Sequence, residues 1–127
     1  MSGRFRNRQA AFTLVEIMIV VAIIGLLSVL AIPSFIKARK QSQGRRIMND
    51  IRQMDASIDK WALDCGKKDG DSLDTPTIAT YLKPNSWDNT DLLGNSYVLG
   101  TVGTNQISIA TATKTALAGV GIDWGNY

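Results

Sequence analysis

The run from Ile17 to Ile36 contains no charged residue, and nothing else in the chain limits its fold as much. At about 1.5 Å rise per residue, a helix of this length spans roughly 30 Å, the thickness of a bilayer's hydrocarbon core. A soluble protein rarely exposes or buries such a stretch as one helix. A secretory h-region is shorter, roughly 7–15 residues, and ends at a small-residue cleavage site. Here the run leads straight into Lys37, Arg39 and Lys40 with no such site. A cleaved secretory signal is therefore the weaker alternative.

Around this run, charge divides the chain of 127 residues into zones. Arg4, Arg6 and Arg8 account for the whole net charge of +3. The stretch from Lys37 to Lys60 is basic, and the part after Trp61 is mildly acidic. That asymmetry is not the footprint of a nucleic-acid-binding domain, and no aromatic interleaving accompanies the basic residues up to Arg52. Nucleic acid is not expected as a partner. The leader arginines favour a cytoplasmic N-terminus. Lys37, Arg39, Lys40, Arg45 and Arg46 weigh against it from the other end, so charge bias alone leaves the topology open.

Beyond Lys37 the pattern becomes amphipathic. Ile47, Ile51, Met54, Ile58 and Trp61 recur at alternating spacings of four and three, which forms one narrow apolar stripe. It predicts a helix packed on a globular layer and ending near Cys65-Gly66, where glycine can adopt a left-handed cap. After a polar turn, Thr75-Pro76 reads as an N-cap followed by proline at the first helical position. A short helix from Ile78 to Leu82, ending before Pro84, follows. Strands are expected over Ser96–Thr101 and Gln106–Ala110, joined through Gly103 and Asn105, with a third over Ala118–Asp123.

The leader ends in Ala10-Ala11, followed by Phe12-Thr13-Leu14-Val15-Glu16 and then the apolar run. This resembles the type IV prepilin cleavage and methylation signal shared by pilins and type II secretion pseudopilins. Gly25 and Pro33 fall where that family's helix carries a glycine and a kink-forming proline. One departure is Ala11, where the family usually has glycine. The resemblance implies cleavage between Ala11 and Phe12 by a prepilin peptidase and methylation of the Phe12 amine. A lone carboxylate is costly in lipid, roughly 2.5–3.5 kcal/mol at the bilayer centre. Cleavage would give Glu16 a partner, the Phe12 ammonium; the family resemblance implies that the pair forms between neighbouring subunits. The segment Asp91-Leu92-Leu93-Gly94-Asn95-Ser96-Tyr97 further resembles a loop of major pseudopilins, with Ser96 where proline is common. It tilts the expectation toward the secretion pseudopilus.

Other chemistry is sparse. There is no histidine, which removes the commonest general base and metal ligand. No nucleophile–base set is visible, so an enzyme is not expected. Cys65 is the only cysteine; it excludes an intramolecular disulfide and is expected to fill apolar space at the helix end. Trp61, Trp87 and Trp124 read as core or interface anchors. Asp69 and Asp71 lack an EF-hand frame. Calcium stays open as a ligand, with Asp88, Asp91 and Asp123 as its candidates.

The expected fold is α+β: a long N-terminal helix, transmembrane in its first half and amphipathic in its second, packed on a small antiparallel β-sheet. The expected segments are a leader at 1–11 that is removed, a transmembrane and filament-core helix at 12–36, an amphipathic helix at 37–65, and a loop, short helix and sheet at 66–127. The expected function, implied by the resemblance, is a type II secretion pseudopilus subunit in the bacterial inner membrane, single-pass, with its globular domain in the periplasm. Its implied partners are copies of itself, the prepilin peptidase, minor pseudopilins, an inner-membrane assembly platform and membrane lipid. The alternatives are a type IV pilus subunit for adhesion, twitching or DNA uptake, and a membrane-tethered periplasmic binding domain that does not polymerise.

Overall fold

A computed structural model describes residues 10–83 and 85–127; the leader arginines Arg4, Arg6 and Arg8, and Pro84, lie outside the described residues. The fold is α+β. In chain order it comprises α1 (Leu14–Asp64), α2 (Thr75–Ala79), β1 (Val98–Leu99), β2 (Ile107–Ser108) and α3 (Thr111–Ala116). The chain divides into two units, Met1–Ile36 and Lys37–Tyr127.

In the first unit, α1 passes Gly25 and Pro33 without interruption. Pro33 has no N–H to give the Val29 carbonyl, so one rung of the helix ladder is missing there. Ser28 solves the opposite problem. Its hydroxyl donates to the Ile24 carbonyl at 2.7 Å, which satisfies a polar group inside an apolar run.

In the second unit, every residue of the expected stripe is buried: Ile47, Ile51, Met54, Ile58 and Trp61. Met48 and Ala62 widen it. Ile78 of α2, Tyr97, Val102, Ile107, Ile109 and Leu117 complete the core. A fully buried aliphatic or aromatic side chain contributes roughly 1.5–3 kcal/mol. The strands are only two residues each, so the stripe, rather than the sheet ladder, dominates stability. α1 ends as its sequence predicts. Gly66 takes φ +62°, its N–H donates to Leu63, and the Lys67 N–H donates to the Ala62 carbonyl at 2.8 Å. This is a Schellman cap. The Lys67 ammonium then lies 5.3 Å from the Trp61 ring centroid.

The rest departs from expectation in particular places. α2 starts at Thr75, with Asp74 as its N-cap, because the Asp74 carbonyl already accepts the Ile78 N–H at 2.9 Å. It stops at Ala79, and residues to Leu82 continue only in three-residue turns. β1 and β2 pair antiparallel, Val98 opposite Ser108 and Leu99 opposite Ile107. The flanks of the expected first strand pair elsewhere: Ser96 bridges Thr90 and Thr101 bridges Ser72. The third strand is absent. Gly119 and Gly121 take φ +79° and +71°, which breaks the extended backbone over Ala118–Asp123. Helix α3 was not expected from the sequence.

Helix α3 is tied to the Asp91–Asn95 loop by a buried carboxylate. Asp91 Oδ1 accepts the N–H groups of Leu93 (2.9 Å) and Asn95 (3.0 Å). Its Oδ2 accepts the Thr113 hydroxyl. Asn95 Nδ2 closes the ring by donating to Thr113 Oγ1 at 2.9 Å. Thr113 is fully buried, and Gly94 supplies the turn at φ +83°. Burial pushes the nearby Tyr97 phenol up to about 12, with help from the negative charges of Asp50, Asp91 and Asp88. That phenol therefore stays neutral in the core.

Two outcomes are expected. Thr113→Val keeps the shape but strips a buried charge of its side-chain donor. It is expected to lower the unfolding free energy by about 1.5–3 kcal/mol, the range for a hydrogen bond to a charged group, measured by urea unfolding in detergent with tryptophan fluorescence. A chain starting at Lys37 is expected to be a soluble, folded monomer by analytical ultracentrifugation, because its own core already covers the stripe. Aggregation at modest concentration would show that the stripe is a partner surface.

Candidate functional site

The candidate surface is the start of α1. Phe12 is 83% exposed, and the large apolar side chains from Leu14 to Ile36 are all exposed. They face outward on every side of the helix, not along one stripe. Such a surface requires lipid or partner helices, since the hydrophobic effect disfavours leaving it in water.

Glu16 is the single charge in this surface among the described residues. Its carboxylate Oε2 accepts the Thr13 N–H at 2.9 Å. In return, Thr13 Oγ1 accepts the Glu16 N–H at 3.3 Å. This reciprocal pair is a capping box, which satisfies two of the amide donors a helix start leaves open. A carboxylate there also complements the positive end of the helix dipole. The signal is present in the sequence as Thr13-Leu14-Val15-Glu16, the T-x-x-E pattern. Reading Glu16 only as one half of an intersubunit charge pair overlooks it.

The other candidates are scattered. Ala11 is exposed beside Phe12. Asp88 Oδ1 accepts both the N–H and the hydroxyl of Thr90, which holds its carboxyl below the usual range. Asp91 is committed to its ring with Thr113 and Asn95. Asp123 Oδ1 accepts the Gly125 N–H at 2.9 Å. Among the described residues, no three acidic, histidine or cysteine side chains come together in a way that could hold a metal ion. Cys65 does not fill apolar space; it is free and exposed, because the Schellman turn swings it off the core face. Trp61 is in the core, while Trp87 and Trp124 pack partly buried against it.

Sequence comparisons agree with the start of α1 as the distinguishing feature. The prokaryotic N-terminal methylation motif matches residues 6–32. The type IV major fimbrial protein FimA of Dichelobacter nodosus is 34% identical over 119 residues, covering 94% of this chain and 64% of the relative. The type IV major pilin protein PilA of Myxococcus xanthus is 45% identical over 52 residues, covering 41% of this chain and 24% of the relative. The type II secretion system core protein G of Pseudomonas aeruginosa is 37% identical over 59 residues, covering 46% of this chain and 42% of the relative. The chain thus spans less than two thirds of each of these proteins. No solved structure matches it. Motif and apolar helix are consistent with a single-pass inner-membrane protein. With that motif at its head, the chain is similar to type IV pilins and to type II secretion core protein G, a likeness consistent with the type IV pilin-like family.

Proposed function

We propose that this chain is a structural subunit that polymerises through its N-terminal helix. The observation that carries the reading is the all-round apolar surface of Phe12 to Ile36, whose single charge is Glu16. Lipid alone would explain the apolar side chains. The capping box explains the shape of Glu16 but not its charge, since glutamine would serve the cap as well, and intramembrane ionisable groups mark function by default. Cleavage between Ala11 and Phe12 would create an ammonium for it. A buried pair of that kind fixes register more than it adds stability, which suits helices that could otherwise slide past one another. The missing rung at Pro33 gives the helix a place to bend within the filament. The prepilin peptidase is the expected processing partner.

Within this class, the pseudopilus of type II secretion is supported by the Asp91–Asn95 loop and by the core protein G relatives. A type IV pilus is supported by a different observation, the fimbrial match running over 94% of the chain. Gene deletion separates them. Loss of secreted enzymes with surface filaments intact fits the pseudopilus, and the reverse fits the pilus.

The mature chain is expected to start at Phe12 with a methylated amine, read by intact-mass spectrometry of membrane-extracted protein. A mass retaining Met1 to Ala11 would sink the filament reading. Glu16→Gln then separates the two roles of Glu16. Glutamine at this position can keep the capping box but carries no charge. If the charge pair drives assembly, the variant should be inserted and cleaved normally yet form no regular filaments in electron micrographs. Breaking one side of a buried pair typically costs about 3–5 kcal/mol. Normal filaments from Glu16→Gln would reduce Glu16 to a helix cap.

A further inference from the structure

We propose that Lys37, Arg39 and Lys40 form a collar that binds anionic phospholipid headgroups in the leaflet where the apolar run ends. The proposal rests on the apolar half of α1 lying in lipid, and it holds whether or not the subunits polymerise. The first observation is composition. Lys37, Arg39, Lys40, Arg45 and Arg46 follow the run with no acidic residue among them. The nearest acidic residue along the chain is Asp50, ten positions past Lys40. Charge bias gives no use for this excess, because cations past the run weigh against the leader arginines before it.

The second observation is height. Four residues of helix rise about 6 Å, so Lys37 to Lys40 fit within a headgroup layer roughly 5–8 Å thick on each side of the hydrocarbon core. Helical side chains lean toward the N-terminus, which here is toward the apolar run. The long stems of lysine and arginine can then lie along acyl chains while the charged heads reach the phosphates. Arg45 and Arg46 begin about 8 Å past Lys40, still within the screening length of about 8–10 Å, and add attraction without contact.

The third observation is direction. At 100° per residue, Arg39 lies about 200° and Lys40 about 300° around the helix from Lys37. Lys37 and Arg39 are exposed, and Lys40 is half-buried. A protein partner meets a helix on one side, whereas a leaflet surrounds it. The domain's own acids favour the same assignment. Arg45 shares a groove with Asp123, and Arg46 shares another with Asp50 and Asp88. Lys37, Arg39 and Lys40 line neither groove, so their charge is left for the surface beneath.

The test reconstitutes the full chain in phosphatidylcholine bilayers carrying a trace of spin-labelled lipid. Electron paramagnetic resonance then reads the fraction of that lipid whose motion the chain restricts. Spin-labelled phosphatidylglycerol is expected to be preferred over phosphatidylcholine by about fivefold, the effect of one basic side chain near an anionic surface. The preference should vanish in about 1 M salt, where screening acts beyond about 3 Å. It should also vanish in Lys37→Gln/Arg39→Gln/Lys40→Gln. Lys68→Gln/Lys83→Gln/Lys114→Gln removes the same charge away from α1 and should keep it. Equal restriction of the two lipids by the unaltered chain would overturn the collar alone and leave these cations to an acidic protein partner. A preference that survives the collar substitutions would overturn it too, since the leader arginines remain in every variant. Restriction of neither lipid would overturn the membrane reading together with the collar.

Discussion

The second unit depends on one contact, the burial of α1's narrow stripe from Ile47 to Trp61. The sheet it meets is too short to hold itself together, since an isolated pair of strands is marginal in water. There is no disulfide to substitute for a core. Loops therefore have to be anchored one by one onto the helix. Ile78 comes from α2, Val102 and Ile107 from either side of the β turn, and Leu117 from the end of α3. Gln41 contributes at the near end, its amide donating to the Val120 carbonyl at 2.9 Å. Gly44 lets the loop come close, because a Cβ there would collide with Ile122 Cδ1.

The same helix carries two kinds of apolar surface, and the difference between them points to function. From Ile47 onward the apolar residues form one stripe and the remaining faces are charged, as expected where one side meets a core and the other meets water. Before Lys37 they occupy all faces, as expected where no side meets water. The change occurs across Lys37, Arg39 and Lys40, a basic segment suited to a bilayer surface. A tether would need only the apolar half. Glu16 would cap the helix of a tether too, but glutamine could do the same without the cost of a charge.

Long-period patterns were legible in the sequence, and short, cooperative ones were not. The apolar run, the stripe and the Gly66 cap each follow from a rule that acts within one element. Helix α3 does not: Thr111 to Ala116 has little apolar periodicity and is held by Thr113 reaching Asp91, twenty-two positions earlier in the chain. The third strand failed because Gly119 and Gly121 adopt left-handed turns. Asp91 looked like a metal ligand because an isolated aspartate in a loop offers free oxygens. In the fold those oxygens are consumed by Leu93, Asn95 and Thr113.

Glu16 shows how one residue can serve both the chain and its neighbours. A carboxylate has two oxygens with several lone pairs, and the capping box uses only Oε2. Oε1 has no partner among the described residues, so an ammonium could be received without undoing the cap. The box also limits where that ammonium must approach. By holding the side chain back against Thr13, it removes most of the rotamer freedom that a glutamate would otherwise lose on pairing. The cap thus preorganises the charge. A shorter aspartate would have to give up one of these bonds, and an alanine would lose both, so a defect in either variant would not say which bond mattered. The two functions come apart only where shape is kept and charge is removed.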